Sequence, residues 1–121
     1  MAIINPTITE VDTNGGVKVV RWALLASGDT GAPVRLGRFN MTTFQVVGTP
    51  TALALNGSND ADAPVNFSAL SDWAGASLGA LATAGFKTPR DMPVWVQPVL
   101  TTGANITVQM TMHRADMGVM G

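Results

Sequence analysis

The sequence predicts an all-β protein: a single antiparallel β-sandwich or barrel-like domain with extended N- and C-terminal arms. Two observations carry this. Apolar and β-branched residues alternate with polar ones at period two, and Gly, Pro and Asn break these runs at roughly ten-residue spacing. The expected division is an N-terminal arm (1–6), a β core (7–114) and a C-terminal tail (115–121).

The arm, Met1, Ala2, Ile3, Ile4, Asn5 and Pro6, is largely apolar and precedes any periodic segment, so it is a candidate for ordering against a partner. Next comes a strand over residues 8–13, which Asn14-Gly15, a strong type I′ turn signal, pairs with a strand at Val17–Leu25. Alternation there puts Lys18, Val20, Trp22 and Leu24 on one face and Val17, Val19, Arg21, Ala23 and Leu25 on the other. Gly28-Asp29-Thr30-Gly31 reads as a hairpin turn; no helix follows it, so it is not a phosphate cradle.

Met41–Val47 and residues 51–55 have strand composition, with Gly48-Thr49-Pro50 turning between them. Asn56-Gly57-Ser58-Asn59-Asp60 reads as a tight connection, with glycine at positive φ and the Asn, Ser and Asp side chains bonding nearby amides. Asn59, Asp60 and Asp62 are a local cluster of oxygen ligands. A calcium loop needs more of them and a closing acid, and the sole glutamate, Glu10, is remote.

Residues 65–70 and 76–83 are weaker strand candidates. Residues 70–84 are rich in Ala and Leu, but Gly75, Gly79 and Gly85 each cost a helix about 1 kcal/mol, which leaves at most a short helical turn near 72–76. Trp73 falls there and is expected to be partly exposed, while Trp22 and Trp95 lie inside strand patterns and are expected in the core. Over 92–100, Pro93 and Pro98 flank Val94-Trp95-Val96 and place that strand at an edge or a bulge. The clearest strand is Ile106–His113, with Ile106, Val108, Met110 and Met112 inward and Thr107, Gln109, Thr111 and His113 outward.

Charged residues are 12% of the chain, about half the usual share, and the formal net charge is −1 with basic residues scattered. No basic stripe suggests nucleic acid, and no apolar run or signal-like N-terminus suggests a membrane. With no cysteine, no tyrosine, one histidine and no G-x-S-x-G motif, no catalytic set assembles; His113 reads as a surface histidine. The expectation is a protein that is not an enzyme and uses no metal or cofactor.

The landmarks run in order: the Trp22 strand, Gly28-Asp29-Thr30-Gly31, an aliphatic strand ending at Gly48, and Leu55-Asn56-Gly57-Ser58-Asn59-Asp60. Leu70-Ser71-Asp72, Leu78, Pro93-Val94-Trp95-Val96-Gln97-Pro98 and a closing Ile106-Thr107-Val108 strand ending at His113-Arg114 follow. Over roughly 17–114 this order resembles the small head decoration, or cement, proteins of tailed bacteriophages. The resemblance implies a virion structural protein, a β-sandwich that associates symmetrically, often as a homotrimer, and binds the major capsid protein on the outer surface of the expanded head. The alternatives are a tail or connector component and a surface glycan-binding sandwich with Trp73 as its stacking platform. Met1, Ala2, Ile3, Ile4, Asn5, Pro6 and Trp73 are the expected partner-contacting residues.

Overall fold

A computed structural model describes residues 2–11, 16–37, 39 and 41–114, with only the backbone of Leu24. Met1, the Asn14-Gly15 turn and the 115–121 tail lie outside the described residues. The described chain is all β, with no helix, and runs as β1 (Ile3–Ile4), β2 (Thr7–Glu10), β3 (Val17–Leu25), β4 (Thr30–Gly31), β5 (Val34–Arg35) and β6 (Met41–Val47). It continues as β7 (Ala52–Ser58), β8 (Ser68–Ala69), β9 (Gly85–Lys87), β10 (Trp95–Thr102) and β11 (Ile106–His113).

Two sheets form a sandwich. The first has the order β1-β4-β10-β7-β8, with β5 also pairing β10; the second has the order β2-β3-β11-β6-β9. Every pairing is antiparallel except that of β1 with β4. The inward side chains of both sheets merge into one core, in which Val20, Trp22, Phe44, Leu53, Leu55, Leu100, Val108 and Met110 have no exposed surface. This is the alternation read from the sequence, turned into two facing apolar layers.

Trp22 crosses between the layers. Its indole N–H donates to the carbonyl of Ala32, 3.0 Å away in the first sheet's β4–β5 connection. Gly31 lets it do so. A Cβ at Gly31 would stand 2.6 Å from Pro98 and 2.7 Å from the Trp22 ring.

Four expectations are corrected. Leu25, which strict alternation sets on the face opposite Trp22, is fully buried in the same core as Trp22. The β3–β11 register passes from Trp22↔Val108 to Leu25↔Ile106, so β3 spends three steps against two, and this bulge turns Leu25 inward and sets two residues against Thr107, which is also buried. Gly28–Gly31 is not a hairpin but a passage from β3 in one sheet to β4 in the other. Gly28 takes φ 86°, and Asp29 holds the corner by accepting from the Ala26 N–H at 2.8 Å.

Asn56, Gly57 and Ser58 are not a turn; they continue β7 against Gln97, Val96 and Trp95 of β10. Gly57 is needed for space, since a Cβ there would meet Pro93 at 2.4 Å and Leu70 at 2.8 Å. Finally, β10 is central and not an edge. Leu100 directs its backbone toward β4, donating to Asp29 O and accepting from Gly28 N, and Pro98, two residues earlier, presents the same side. The ladder partner there is interrupted between β4 and β5, so the missing N–H of Pro98 leaves nothing unpaired.

Gly31→Ala should lower stability by about 1–3 kcal/mol through overpacking against Trp22 and Pro98. A fall in the urea midpoint at unchanged slope is the expected reading.

Candidate functional site: the outer face of the second sheet and the Trp73 groove

Because β2, β3, β11, β6 and β9 bury one face, their other face is displayed as a continuous surface. The register sets Thr7, Arg21, Gln109, Gln45 and Phe86 in one row across all five strands. The next row is Thr9, Val19, Thr111 and Thr43, and the one beyond it Val17, His113 and Met41. Arg21 carries the one permanent charge in these rows. Gln109 donates to Gln45 at 3.3 Å, which keeps the middle of the face neutral and partly self-satisfied. Phe86 at 71% exposure and Met41 at 55% put large apolar groups on it.

The face leads into a groove of about 280 Å³ walled by Met41, Thr43, Trp73, Pro89, Arg90, Met92 and His113. Trp73 tops a turn fixed from beneath: one carboxylate oxygen of Asp72 accepts from the N–H groups of Ala74 and Ala76, both at 2.9 Å. Asp72 also bridges to Pro89, and Gly75 takes φ 86° to close the turn. Trp73 is thereby held out of the core, 72% exposed, on a braced support. Trp73 is exposed, as expected in part, but the short helical turn allowed at 72–76 does not form; the turn there is not helical.

Phe86, Met41 and Met92 were not singled out in the sequence. Phe86 belongs to β9, a three-residue edge strand inside a Gly- and Ala-rich stretch, too short for period two to register. The weaker strand expected at 76–83 is instead a pair of single bridges, Ser71↔Ser77 and Leu53↔Leu81.

The arm lies on its own chain. Ile3–Ile4 runs parallel to Thr30–Gly31, Thr30 N donates to Ala2 O, Ala32 N donates to Ile4 O, and the Ala2 N–H donates to Asp29. Ile4 packs against the core, whereas Ile3, 71% exposed, faces outward. Asn5 is exposed, and Pro6 partly buried, where the chain passes into β2.

Trp95 is only partly buried, unlike Trp22. Its indole N–H donates to Asp60 O at 3.0 Å, and the Arg35 guanidinium lies 5.1 Å from its ring centre while donating to Ala61 O. Asp60 organises this loop. Its carboxylate accepts from the N–H groups of Asn66 and Val65, the Asn66 amide and the Ser58 hydroxyl. Those bonds, the two backbone ones foremost, hold its carboxyl well below the usual carboxylate range. The oxygen cluster of the sequence is thus turned on the chain's own amides. Among the described residues no group of three or more His, Cys, Asp or Glu side chains could hold a metal ion, and no helix is long and apolar enough to cross a membrane.

No family model matches the sequence, and no curated protein matches it. Solved structures do resemble the fold. The SPBc2 prophage-derived protein YomS is 16% identical, with 79% of this chain and 93% of that one covered at a TM-score of 0.57. Oxalate oxidase bound to the substrate analogue glycolate is 14% identical over 90% of this chain, at a TM-score of 0.50. This chain spans about half of it, 51%. A cupin domain from Bordetella pertussis is 16% identical, with 95% of this chain and 98% of that one covered at a TM-score of 0.48.

At such identities the likeness is one of fold. It nevertheless corrects the expectation that the chain is not an enzyme: oxalate oxidase is built on the same fold, so a small β-sandwich is no ground for excluding catalysis. Neither does the shared fold assign an activity.

Because Asp60 is depressed when folded, its stabilising contribution is full above the unfolded value of about 4 and fades as pH falls toward the folded value. Asp60→Asn should therefore lower the denaturation midpoint at pH 7, and the gap to the parent chain should narrow below about pH 4.

Proposed function

We propose that this chain is a structural protein of a bacteriophage particle that cements the expanded head by binding the major capsid protein on its outer surface. The observation that carries the reading is the outer face of the second sheet, nearly uncharged and continuous with the braced Trp73 groove. Aromatic and methionine side chains on a neutral polar field match the make-up of protein interfaces. Low charge lets many copies crowd a lattice without mutual repulsion. Two further supports are the order of landmarks over 17–114 and the likeness in fold to a prophage-derived protein.

In this reading Trp73 and Phe86 anchor the contact, and Ile3, exposed on the other sheet, is a second contact of the arm. Substituting Ile3 is a cleaner probe than deleting the arm, since deletion also removes the Ala2–Asp29 tie. Association as a homotrimer belongs to the same proposal, and repeated attachment would supply holding power by effective concentration. Light scattering of the purified chain should then give about three times the monomer mass, as closed threefold symmetry requires.

The deciding experiment mixes purified protein with expanded capsids lacking it and images the particles by electron cryomicroscopy. Ordered density at threefold or quasi-threefold positions is expected; bare shells would overturn the cement role and turn the search to tail and connector. Trp73→Ala combined with Phe86→Ser should leave the fold within about 0.5 kcal/mol, both positions being exposed. Occupancy should need roughly ten times more protein, or beyond, as for a lost hot spot. One observation favours a second reading, glycan binding: the Trp73 ring stands free beside Arg90 and His113. A glycan array that stays silent for the parent chain would dispose of it.

A further inference from the structure

Beside β2 the described residues leave the sandwich open. Beneath the edge strand β2 lies a cavity of about 360 Å³, larger than the Trp73 groove. Its floor is the end of the core, Val20, Leu36 and Met112, and Phe39 and Val34 close its sides. Ile8 faces inward opposite Val20 yet is 54% exposed, because the first sheet does not extend under it. Gly37 stands at the mouth with φ 59° and open space where a Cβ would be. The volume lies within the range of small-molecule sites.

Lys18 supplies a polar contact at the rim. The Lys18 ammonium sits 5.5 Å from the Phe39 ring centre and 3.9 Å from Glu10, a long ion pair between side chains 33% and 61% exposed. Such a pair is weak and easily exchanged. Arg35, the other cation of the lining, is turned to Trp95 and Ala61 O. An apolar slot with the Lys18 ammonium at its lip is complementary to a chain that is apolar along its length and anionic at one end.

We propose that this cavity binds a medium-chain aliphatic carboxylate, its alkyl chain between Ile8, Phe39 and Met112 and its carboxylate on Lys18 in place of Glu10. The site is independent of the capsid-binding face, which lies on the other side of the second sheet.

The test is calorimetric titration of the full chain with hexanoate, octanoate and decanoate below micelle-forming concentrations. Affinity should rise about fourfold per added methylene. Decanol should bind at least about tenfold more weakly than decanoate, and Lys18→Met should weaken decanoate by about tenfold. Glu10→Gln, which removes the competing carboxylate, should tighten it by about threefold. Ile8→Trp fills the mouth from an exposed position and should abolish binding while the chain stays folded; Trp73→Ala, at a residue that does not line the cavity, should change nothing. Absence of saturable binding, affinity independent of chain length, or affinity unaltered by both Lys18→Met and Ile8→Trp would overturn the proposal.

Discussion

The contact on which the rest of this structure depends is the seating of Trp22 between the sheets. It comes from the second sheet, is wholly buried, and carries a polar N–H that has to find a partner in a dry interior. That partner is Ala32 O, in the interruption between β4 and β5. The same interruption removes the need for a backbone N–H at Pro98, and the missing side chain of Gly31 makes room for both rings. Three residues far apart in sequence thus solve one packing problem, and each would be a defect without the other two.

Around this contact the chain separates its two kinds of surface cleanly. Side chains toward the core are almost wholly apolar, and the large polar demands are met locally: Asp29 on the amides of its own corner, Asp60 on those of its loop, Asp72 under Trp73. The low charge of the exposed sheet face comes from its own rows, in which Thr, Gln, Val, Phe and Met surround Arg21. Low charge and bracing work together at Trp73, since a rigid aromatic loses little freedom when a partner covers it.

Strand composition and period two were enough to find the long strands: Ile106–His113 has its four inward residues in the core as read, and Met41–Val47 is placed as read. What could not be read is set by pairing at a distance. A bulge in β3 depends on register with β11, so no local pattern reveals that Leu25 turns inward. Gly57 looks like a turn residue until Pro93 and Leu70 are known to lie against its Cα. Pro98 marks a break in its neighbour and not an edge. At the candidate site Trp73 was legible because glycines excluded a helix around it, whereas Phe86 needed the register with Gln45 to be placed on the same face. The cavity beneath β2 was invisible because an open flank is a property of how far one sheet extends under the other.

Among the described strands, consecutive partners within one sheet are rare. Only β2 with β3 and β7 with β8 pair as chain neighbours, and nearly every other connection crosses between layers. Neither sheet can therefore be completed before the other, because β10 and β11, adjacent in sequence, are inner strands of different sheets. Loop closure must precede any return from burial, which places assembly of the domain on the slow, millisecond-to-second side of folding kinetics. During that interval β-rich segments of low charge stand unpaired, and it is then, before the chain has a shape, that it is most vulnerable to sticking to other copies.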